Sequence, residues 1–306
     1  MKTNIACLPC LLRQTLQTTR LYTGSTTQQA QTVQAVAAYL AGCDLSMCPP
    51  AIVGDVYEII EQNTGAEDPY VDKKRESNDI ARSLLPALEQ EIVDSDDKEG
   101  LMLAIRFAIA GNIIDYGAYQ NFDIEGTLQR CRNAVLAIDH SANLLKKIEI
   151  LDEGANILYL ADNCGEIVFD SLLIGKLFAR GFKITVAVKD GPIINDALVS
   201  DAYTAGLDKY ARIISNGTRC PGTVLEQVSP QFLDVYNSAD LVISKGQGNF
   251  ESLSEAKREI FFLLTIKCVA AAEHMHEITG CDQATVTGTG EMAVFRLSPK
   301  IKKGSL

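Results

Sequence analysis

The stretch that decides the fold is Asn156-Ile-Leu-Tyr-Leu-Ala-Asp162-Asn163-Cys164-Gly165-Glu166-Ile-Val-Phe-Asp170. A short apolar run ends abruptly in an acid and an amide, and Gly165 permits a tight turn. Apolar residues at helical spacing then follow from 167 to 178. The pattern predicts a strand, a loop and a helix, with Asp162 and Asn163 at the carboxyl end of the strand. Ligands of open α/β sheets bind in that place.

These two side chains indicate a cation site. A carboxylate and an amide present the oxygen ligands that hard cations prefer, and the free N–H groups that open a helix face anions. We therefore expect the floor of a metal-and-phosphate site at Asp162 and Asn163.

The second half of the chain alternates between short apolar runs and helical segments. Strands are predicted at residues 156–161, 183–188, 211–215 and 240–244, and helices at 167–179, 194–205, 221–228 and 254–273. Such alternation favours a parallel, doubly wound sheet with helices on both faces. The tail segments 283–287 and 292–297 are predicted to form a hairpin or edge strands.

The first half is predicted to be helical. Apolar residues recur at three- and four-residue spacing in segments 10–20, 28–41, 50–62, 101–110 and 125–137, and a further helix ends near 92. The residues around Asp96 are predicted to cap the helix that begins near 101. The chain thus divides into a helical N-terminal region, 1–145, and an α/β domain, 146–306, that carries the site.

The composition of the chain limits the classes of function that it can have. The chain has 306 residues, of which 47% are hydrophobic and 22% charged, and its longest apolar runs are far too short to span a bilayer. The N-terminus has no secretory apolar segment, so we expect a cytoplasmic protein without a membrane partner. A net charge of −11 argues against nucleic-acid binding and means that local cations must attract an anionic substrate.

Nine cysteines in an apparently intracellular chain are expected to be reduced thiols. Cys7-Leu-Pro-Cys10 has the spacing of a metal or redox pair, but no second pair shares it, and structural zinc needs four ligands. Packing or a role at a helix start is the alternative for both cysteines. Cys164 has two interpretations, either a nucleophile beside a helix N-terminus or a small residue packed in the interior.

Each predicted strand of the second half ends in polar, glycine-bearing sequence, and the carboxyl ends of parallel strands share one edge. Asp162, Asn163 and Asp196 give a divalent ion such as magnesium a partial oxygen shell that waters and a phosphate would complete. Lys245 is predicted to place a charge on phosphate oxygens, with backbone N–H groups near Gly165, Gly217 and Gly246 holding others.

Structural alternatives exist for each of these residues. Asp162 is also a common helix cap, Asn195-Asp196 could simply start a helix, and the glycines after Lys245 match neither a Walker A loop nor GxGxxG. Asn112 and Asp115, between Gly111 and Gly117, belong either to a helix end or to the cleft.

At these residues the sequence resembles the metal-dependent damage-control phosphatases, the ARMT-like family formerly classed as a domain of unknown function. The resemblance is carried by Asp162-Asn163-x-Gly165-Glu166-x-x-x-Asp170, Gly191-Pro-x-x-Asn195-Asp196 and Lys245-Gly-x-Gly-Asn249-x-Glu251. Asp68-Pro-Tyr70 through Asn78, Gly111-Asn112-x-x-Asp115 and Cys7-x-x-Cys10 look like the prokaryotic version.

The resemblance implies a helical region packed on a Rossmann-like three-layer α/β/α core with a mainly parallel sheet. It also implies a divalent metal (Mg, Mn, Co or Ni) held by Asp162, Asn163 and Asp196, and hydrolysis of small phosphorylated metabolites, sugar phosphates or damaged phosphometabolites.

Our hypothesis from the sequence is a metal-dependent phosphatase in which a metal-activated water attacks the phosphate. Asp162, Asn163, Asp196 and Lys245 are its catalytic residues, and Asn112, Asp115, Glu251, Gly165 and Gly246 contact the substrate. Phosphoryl transfer to Asp162 itself ranks lower, since a metal ligand is less free to attack. The alternatives are a protein carboxyl methyltransferase and a non-enzymatic metal- or metabolite-binding module.

Overall fold

Within the residues that the computed structural model describes (1–65, 67–111, 126, 129, 132–133 and 135–298), seven strands form one sheet. The strands are β1 (Leu136–Asp139), β2 (Asn156–Leu160), β3 (Lys183–Val188), β4 (Arg212–Ser215), β5 (Leu241–Lys245), β6 (Ile260–Ile266) and β7 (Glu291–Leu297). Their order is β1-β7-β6-β5-β2-β3-β4. All neighbouring pairs are parallel except β6 and β7, which confirms the predicted α/β class with a mostly parallel sheet.

Helices precede, connect and cover the strands. The helical N-terminal region contains α1 (Cys7–Tyr22), α2 (Thr26–Leu40), α3 (Pro49–Thr64), α4 (Val71–Asp94) and α5 (Asp97–Ala110). The later helices are α6 (Ser141–Glu149), α7 (Glu166–Phe178), α8 (Val199–Thr204), α9 (Pro230–Ser238), α10 (Gly246–Leu253) and α11 (Val269–Thr279). Among the described residues, no helix is both long and apolar enough to cross a membrane.

The sheet is buried on both faces because alternate residues of each strand enter different hydrophobic cores. In β5, Leu241 and Ile243 pack with α4, α5 and α7 on one face. Val242, between them, packs with α9 and α11 on the other face. A separate small core joins α1, α2 and α3 around Val36 and Ile52. Helices therefore cover both faces, as the alternation of the sequence predicts.

The chain reverses its direction of travel across the sheet between β2 and β5. From β2 it proceeds to β3 and β4 on one side, and it then crosses back to place β5 on the other side of β2. The loops that follow β2 and β5 consequently diverge to opposite faces. They leave a crevice at the carboxyl ends of these two strands, where open α/β sheets bind ligands.

Several predicted elements are wrong. The predicted helix at 254–273 contains β6, since Ile-Phe-Phe-Leu-Leu-Thr-Ile is apolar throughout, and periodicity does not separate a buried strand from a buried helix. Segment 221–228 forms turns, and only Val199–Thr204 of segment 194–205 is helical. The segment 283–287 is no strand, and β7 lies inside the sheet between β1 and β6.

The end of the predicted helical region also differs from expectation. Leu136 and Ala137, assigned to a helix by their sequence, begin β1, which pairs with β7. The sheet therefore recruits a strand from before residue 145, although the domain boundary itself stays a prediction. Asp96 caps α5 as predicted, because its side chain accepts a hydrogen bond from the backbone of Glu99 at 2.8 Å. Asn112 and Asp115 lie outside the described residues.

The corrected β6 can be tested by its core aromatic residue. Phe262 is fully buried, with its ring 5.5 Å from that of Phe250 and 6.1 Å from that of Phe295 (centroid distances). Phe262→Ala should lower the free energy of unfolding by about 3–5 kcal/mol, because it leaves a cavity inside the sheet core. Urea denaturation measures this loss. The matched control is Phe178→Ala at a half-exposed site, where we expect a clearly smaller loss; equal losses would contradict the buried strand.

Candidate active site

A polar cleft of about 190 Å³ opens at the carboxyl ends of β2, β5 and β6. The residues that line it come from six places in the chain, namely Pro50 and Val53 of α3, Asp162 and Asn163 after β2, Ile194 to Asp196, Pro221, Gln247, Gly248 and Glu251 of α10, and Thr265 and Lys267 at the end of β6. The predicted ligands Asp162, Asn163 and Asp196 all lie in this cleft. Glu251, predicted to contact substrate, lies there too.

Backbone hydrogen bonds tie together the two loops that carry the carboxylates. The amide of Ala197 donates to the carbonyl of Asp162 at 2.8 Å, and the amide of Cys164 donates to the carbonyl of Asn195 at 2.9 Å. Asn163 and Asp196 form an isolated antiparallel bridge. This short ladder forces Asp162 and Asp196 to the same side of the cleft, although 33 positions of sequence between them contain a helix and a strand.

The two carboxylates are costly to ionise where they stand. Burial and, after it, the charge of Glu166 raise the pKa of Asp162 to about 6, against the opposing charge of Lys189. Burial also raises the pKa of Asp196 well above its ordinary value, with Lys189 acting in the opposite direction. The Lys189 ammonium lies 3.6 Å from Oδ2 of Asp196, an ion-pair distance that is long for a hydrogen bond. A second positive charge beside these groups would be strongly attracted.

The donor set fits a hard divalent cation. Oδ2 of Asp196 is buried and has no hydrogen-bond partner, and the Lys189 ammonium lies beside it at 3.6 Å, so this oxygen can still accept a ligand bond. Two carboxylates and one amide oxygen form a sparse set of the kind that magnesium prefers, since magnesium retains several waters. Asp162, Asn163 and Asp196 are the residues that would hold the cation.

Gly246 explains how β5 approaches this acid so closely. Its φ of 77° lies in the left-handed region, and a Cβ atom at this position would overlap the Asp162 carboxylate. Only glycine satisfies both demands. Gly246 therefore lets the turn after β5 lie against the Asp162 carboxylate, while its contact with substrate stays a prediction.

The structure corrects the predicted role of Lys245. Its ammonium is fully buried and donates three hydrogen bonds, to the carbonyl of Ala108 (2.7 Å), to Oε1 of Glu166 (2.5 Å) and to Oδ1 of Asp170 (2.7 Å). Burial alone lowers the pKa of Lys245, but the two carboxylates outweigh it and raise that pKa above its usual value. With all three donors used inside the protein, Lys245 has none for a phosphate.

Two of the predicted phosphate-binding backbone groups are also engaged elsewhere. The Gly165 amide donates to Oδ1 of Asn78 on α4 at 2.7 Å, and the Gly217 amide donates to Oγ of Ser215 at 2.9 Å. The first contact caps α7 with a side chain from the helical region. Gly165 thus fixes the loop of Asp162 and Asn163, and its amide is not available to substrate.

The cleft contains a cation that sequence reasoning missed. Lys267 is exposed and lines the cleft one residue beyond β6, and its charge lowers the pKa of Asp162. Thr265, two positions earlier, lies in the same cleft with its hydroxyl oxygen buried and without a partner. Because β6 was predicted as a helix, the shared face of these i, i+2 residues went unrecognised. Correct assignment of β6 would have revealed it.

None of the cysteines that the structure describes lines the cleft. Burial raises the pKa of Cys164, whose thiol points to the carbonyl of Asp196 at 3.8 Å, as expected for packing and not for a nucleophile. Cys7 and Cys10 lie in the first turn of α1. In the part of the chain that the structure describes, the cysteines are free thiols, and no group of three or more His, Cys, Asp or Glu is placed to hold a metal.

Comparison with known proteins identifies the family. The sequence profile of the damage-control phosphatase ARMT1-like domain matches residues 3–281. The chain belongs to this family. It is 35% identical to the damage-control phosphatase PH1575 of Pyrococcus horikoshii over 279 residues, which cover 90% of this chain and 94% of the relative. A damage-control phosphatase of Archaeoglobus fulgidus is 36% identical over 219 residues, 71% of this chain and 74% of its own length.

The fold of this ARMT1-like chain agrees with that of a solved relative. The crystal structure of the DUF89 family protein PH1575 matches with a TM-score of 0.86 at 32% identity. The match covers 97% of this chain and 100% of the other. The site described above therefore lies within a conserved three-layer scaffold and not in an appended element.

The corrected role of Lys245 predicts a loss of stability on its removal. Lys245→Met leaves Glu166 and Asp170 buried without their cation, which should cost about 3–5 kcal/mol of unfolding free energy. Lys267→Met, at an exposed position, should change stability by no more than about 0.5 kcal/mol. Chemical denaturation compares the two variants. If Lys245→Met is as stable as the wild type, the buried ion cluster is misassigned.

Proposed function

We propose that this ARMT1-like protein is a divalent-metal-dependent phosphatase of small phosphorylated metabolites. The observation that carries the proposal is the convergence of Asp162, Asn163 and Asp196 in one cleft, with a buried Asp196 oxygen that lacks a hydrogen-bond partner. The naming of the relatives as damage-control phosphatases supports the reaction class. The candidate metals are Mg, Mn, Co and Ni.

A bound divalent cation would supply Lewis acidity, which neutralises phosphate charge and makes water more acidic. The chain's own residues supply the rest. Lys267 carries an exposed positive charge on the cleft, and Thr265 carries a hydroxyl without a partner. Together they present a charge and a donor to phosphate oxygens from the strand opposite Asp162. This pair takes the role that the sequence assigned to Lys245.

Glu251 is the proposed proton donor to the leaving group. It is buried in the cleft, where it accepts a hydrogen bond from Gln247 at 2.7 Å. Its pKa is raised to about 7, chiefly by burial and in small part by the charge of Asp162, against the opposing effects of Gln247 and the ammonium of Met1. An alcohol leaves a phosphate ester far more readily with a proton than as an alkoxide, and a carboxyl group that is half protonated at neutral pH is a suitable donor.

The proposed reaction class is tested by metal-dependent turnover. Purified protein, stripped with a chelator, should hydrolyse p-nitrophenyl phosphate and sugar phosphates only after Mg, Mn, Co or Ni is restored. Asp196→Asn should lose the activity, since it removes one ligand charge while preserving size. Full turnover without metal, or an active Asp196→Asn variant with unchanged metal response, would overturn the proposal. Calorimetry with adenosylmethionine is the control for the methyltransferase alternative.

A pH profile tests the role of Glu251. As a proton donor, Glu251 must be protonated, so turnover of glucose 6-phosphate should fall as pH rises through about 7. Glu251→Gln should lose this alkaline limb and lower kcat by about 10²–10⁴-fold. The same variant should retain most of its rate on p-nitrophenyl phosphate, whose leaving group departs without a proton. Equal losses on both substrates would assign Glu251 a structural role.

A further inference from the structure

Glu166 connects the buried ion cluster to the proposed metal ligands. Its side chain is buried at the first turn of α7, where Oε1 accepts from the Lys245 ammonium at 2.5 Å. Oε2 accepts from the amide Nδ2 of Asn163 at 3.4 Å. One oxygen therefore faces the cluster, and the other faces the cleft residue that the proposed function makes a ligand.

The orientation of the Asn163 amide follows from its two neighbours. Nδ2 donates to Oδ2 of Asp162 at 2.7 Å as well as to Glu166. Ionised carboxylates accept hydrogen bonds and donate none, so a rotated amide would set Oδ1 against two acceptors. Since Nδ2 is held between these acids, Oδ1 is left to the cleft that Asn163 lines.

Glu166 is itself held rigidly. Lys245 is anchored at the end of β5 and also donates to the carbonyl of Ala108 on α5 and to Asp170 on α7. Asp170 accepts in addition from the hydroxyl of Tyr159 on β2 at 2.7 Å. Buried hydrogen bonds that join β5, α5, α7 and β2 thus fix the carboxylate that faces Asn163.

We propose that Glu166, held by Lys245, is a positioning residue that directs the Asn163 amide oxygen toward the cation. The inference rests on the proposed function, because it assumes that a divalent cation binds at Asp162, Asn163 and Asp196. It assigns the buried lysine an indirect role: Lys245 touches no substrate and acts through Glu166. Groups behind metal ligands are known to set ligand orientation and affinity in this way.

The substitution Glu166→Gln tests this proposal most directly. Lys245 is a donor only, so the new side chain must turn its oxygen to the ammonium and its NH₂ group to Asn163. Two donors then face each other, and Asp162 alone still accepts from Nδ2, so the orientation that points Oδ1 toward the cation is held less firmly. Calorimetric titration with Mn²⁺ should show affinity lowered by about 10- to 100-fold. Unfolding midpoints establish that the variant is folded.

Asp170→Asn is the matched control. It removes the same charge from the same ammonium, and its amide oxygen still accepts from Lys245 and Tyr159, but it does not touch Asn163. We expect wild-type affinity for Mn²⁺. Equal weakening in Glu166→Gln and Asp170→Asn would trace the effect to charge or folding and would overturn the inference.

A second control tests Glu166→Gln in protein whose residue 163 has no amide group. In protein that carries Asn163→Asp, residue 163 has no NH₂ group to orient, so adding Glu166→Gln should not weaken Mn²⁺ binding further. A loss as large as in the Asn163 protein would overturn the positioning role. If wild-type protein binds no Mn²⁺ or Mg²⁺, the proposed function and this inference fail together; if it binds and Glu166→Gln binds equally, only the inference fails.

Discussion

The ammonium of Lys245 is the contact on which the site depends. It lies at the last position of β5, yet it binds the end of α5 and the first turns of α7 at once. Removing a lysine from water is expensive, and two carboxylates and a helix carbonyl offset that cost only in this arrangement. The same charge that stabilises the interior therefore fixes where α7 begins, and the loop of Asp162 and Asn163 is the loop that precedes α7.

Backbone geometry, together with this charge cluster, positions Asp162 and Asp196. Gly246 follows Lys245 directly, and its missing side chain admits the Asp162 carboxylate against the turn after β5. The bridge between Asn163 and Asp196 then brings in the second acid. Three loops are thus positioned by backbone contacts and one ion cluster. Oδ2 of Asp196 is still buried without a hydrogen-bond partner, which is a condition that a cation would relieve.

The sequence predicts those parts of the fold and of the candidate site where its residue pattern has one structural interpretation. Strands that end in an acid, an amide and a glycine mark their own carboxyl ends, so β2, β3 and the cleft position of the proposed ligands Asp162, Asn163 and Asp196 could be predicted. The inward direction of the Lys245 side chain was not predicted. Period-two alternation does group Lys245 with Leu241 and Ile243, on the face of the sheet that α5 and α7 cover. The apolar run of β6 is buried on both faces and shows no alternation, so its sequence does not distinguish a strand from a helix. The position of Lys267 in the cleft was therefore not predicted either.

The helical region is part of the site and not an accessory. Asn78 of α4 accepts a hydrogen bond from the Gly165 amide with Oδ1 and donates one to Asp201 with Nδ2, and so ties α4 both to the loop before α7 and to α8. Pro50 and Val53 of α3 line the same cleft as Asp162 and Asp196. The candidate site thus takes its acids from loops of the sheet, while a helix of the N-terminal region supplies part of the cleft lining. A scaffold of this kind can keep one set of polar residues at its strand ends while the helices that line the cleft differ between relatives.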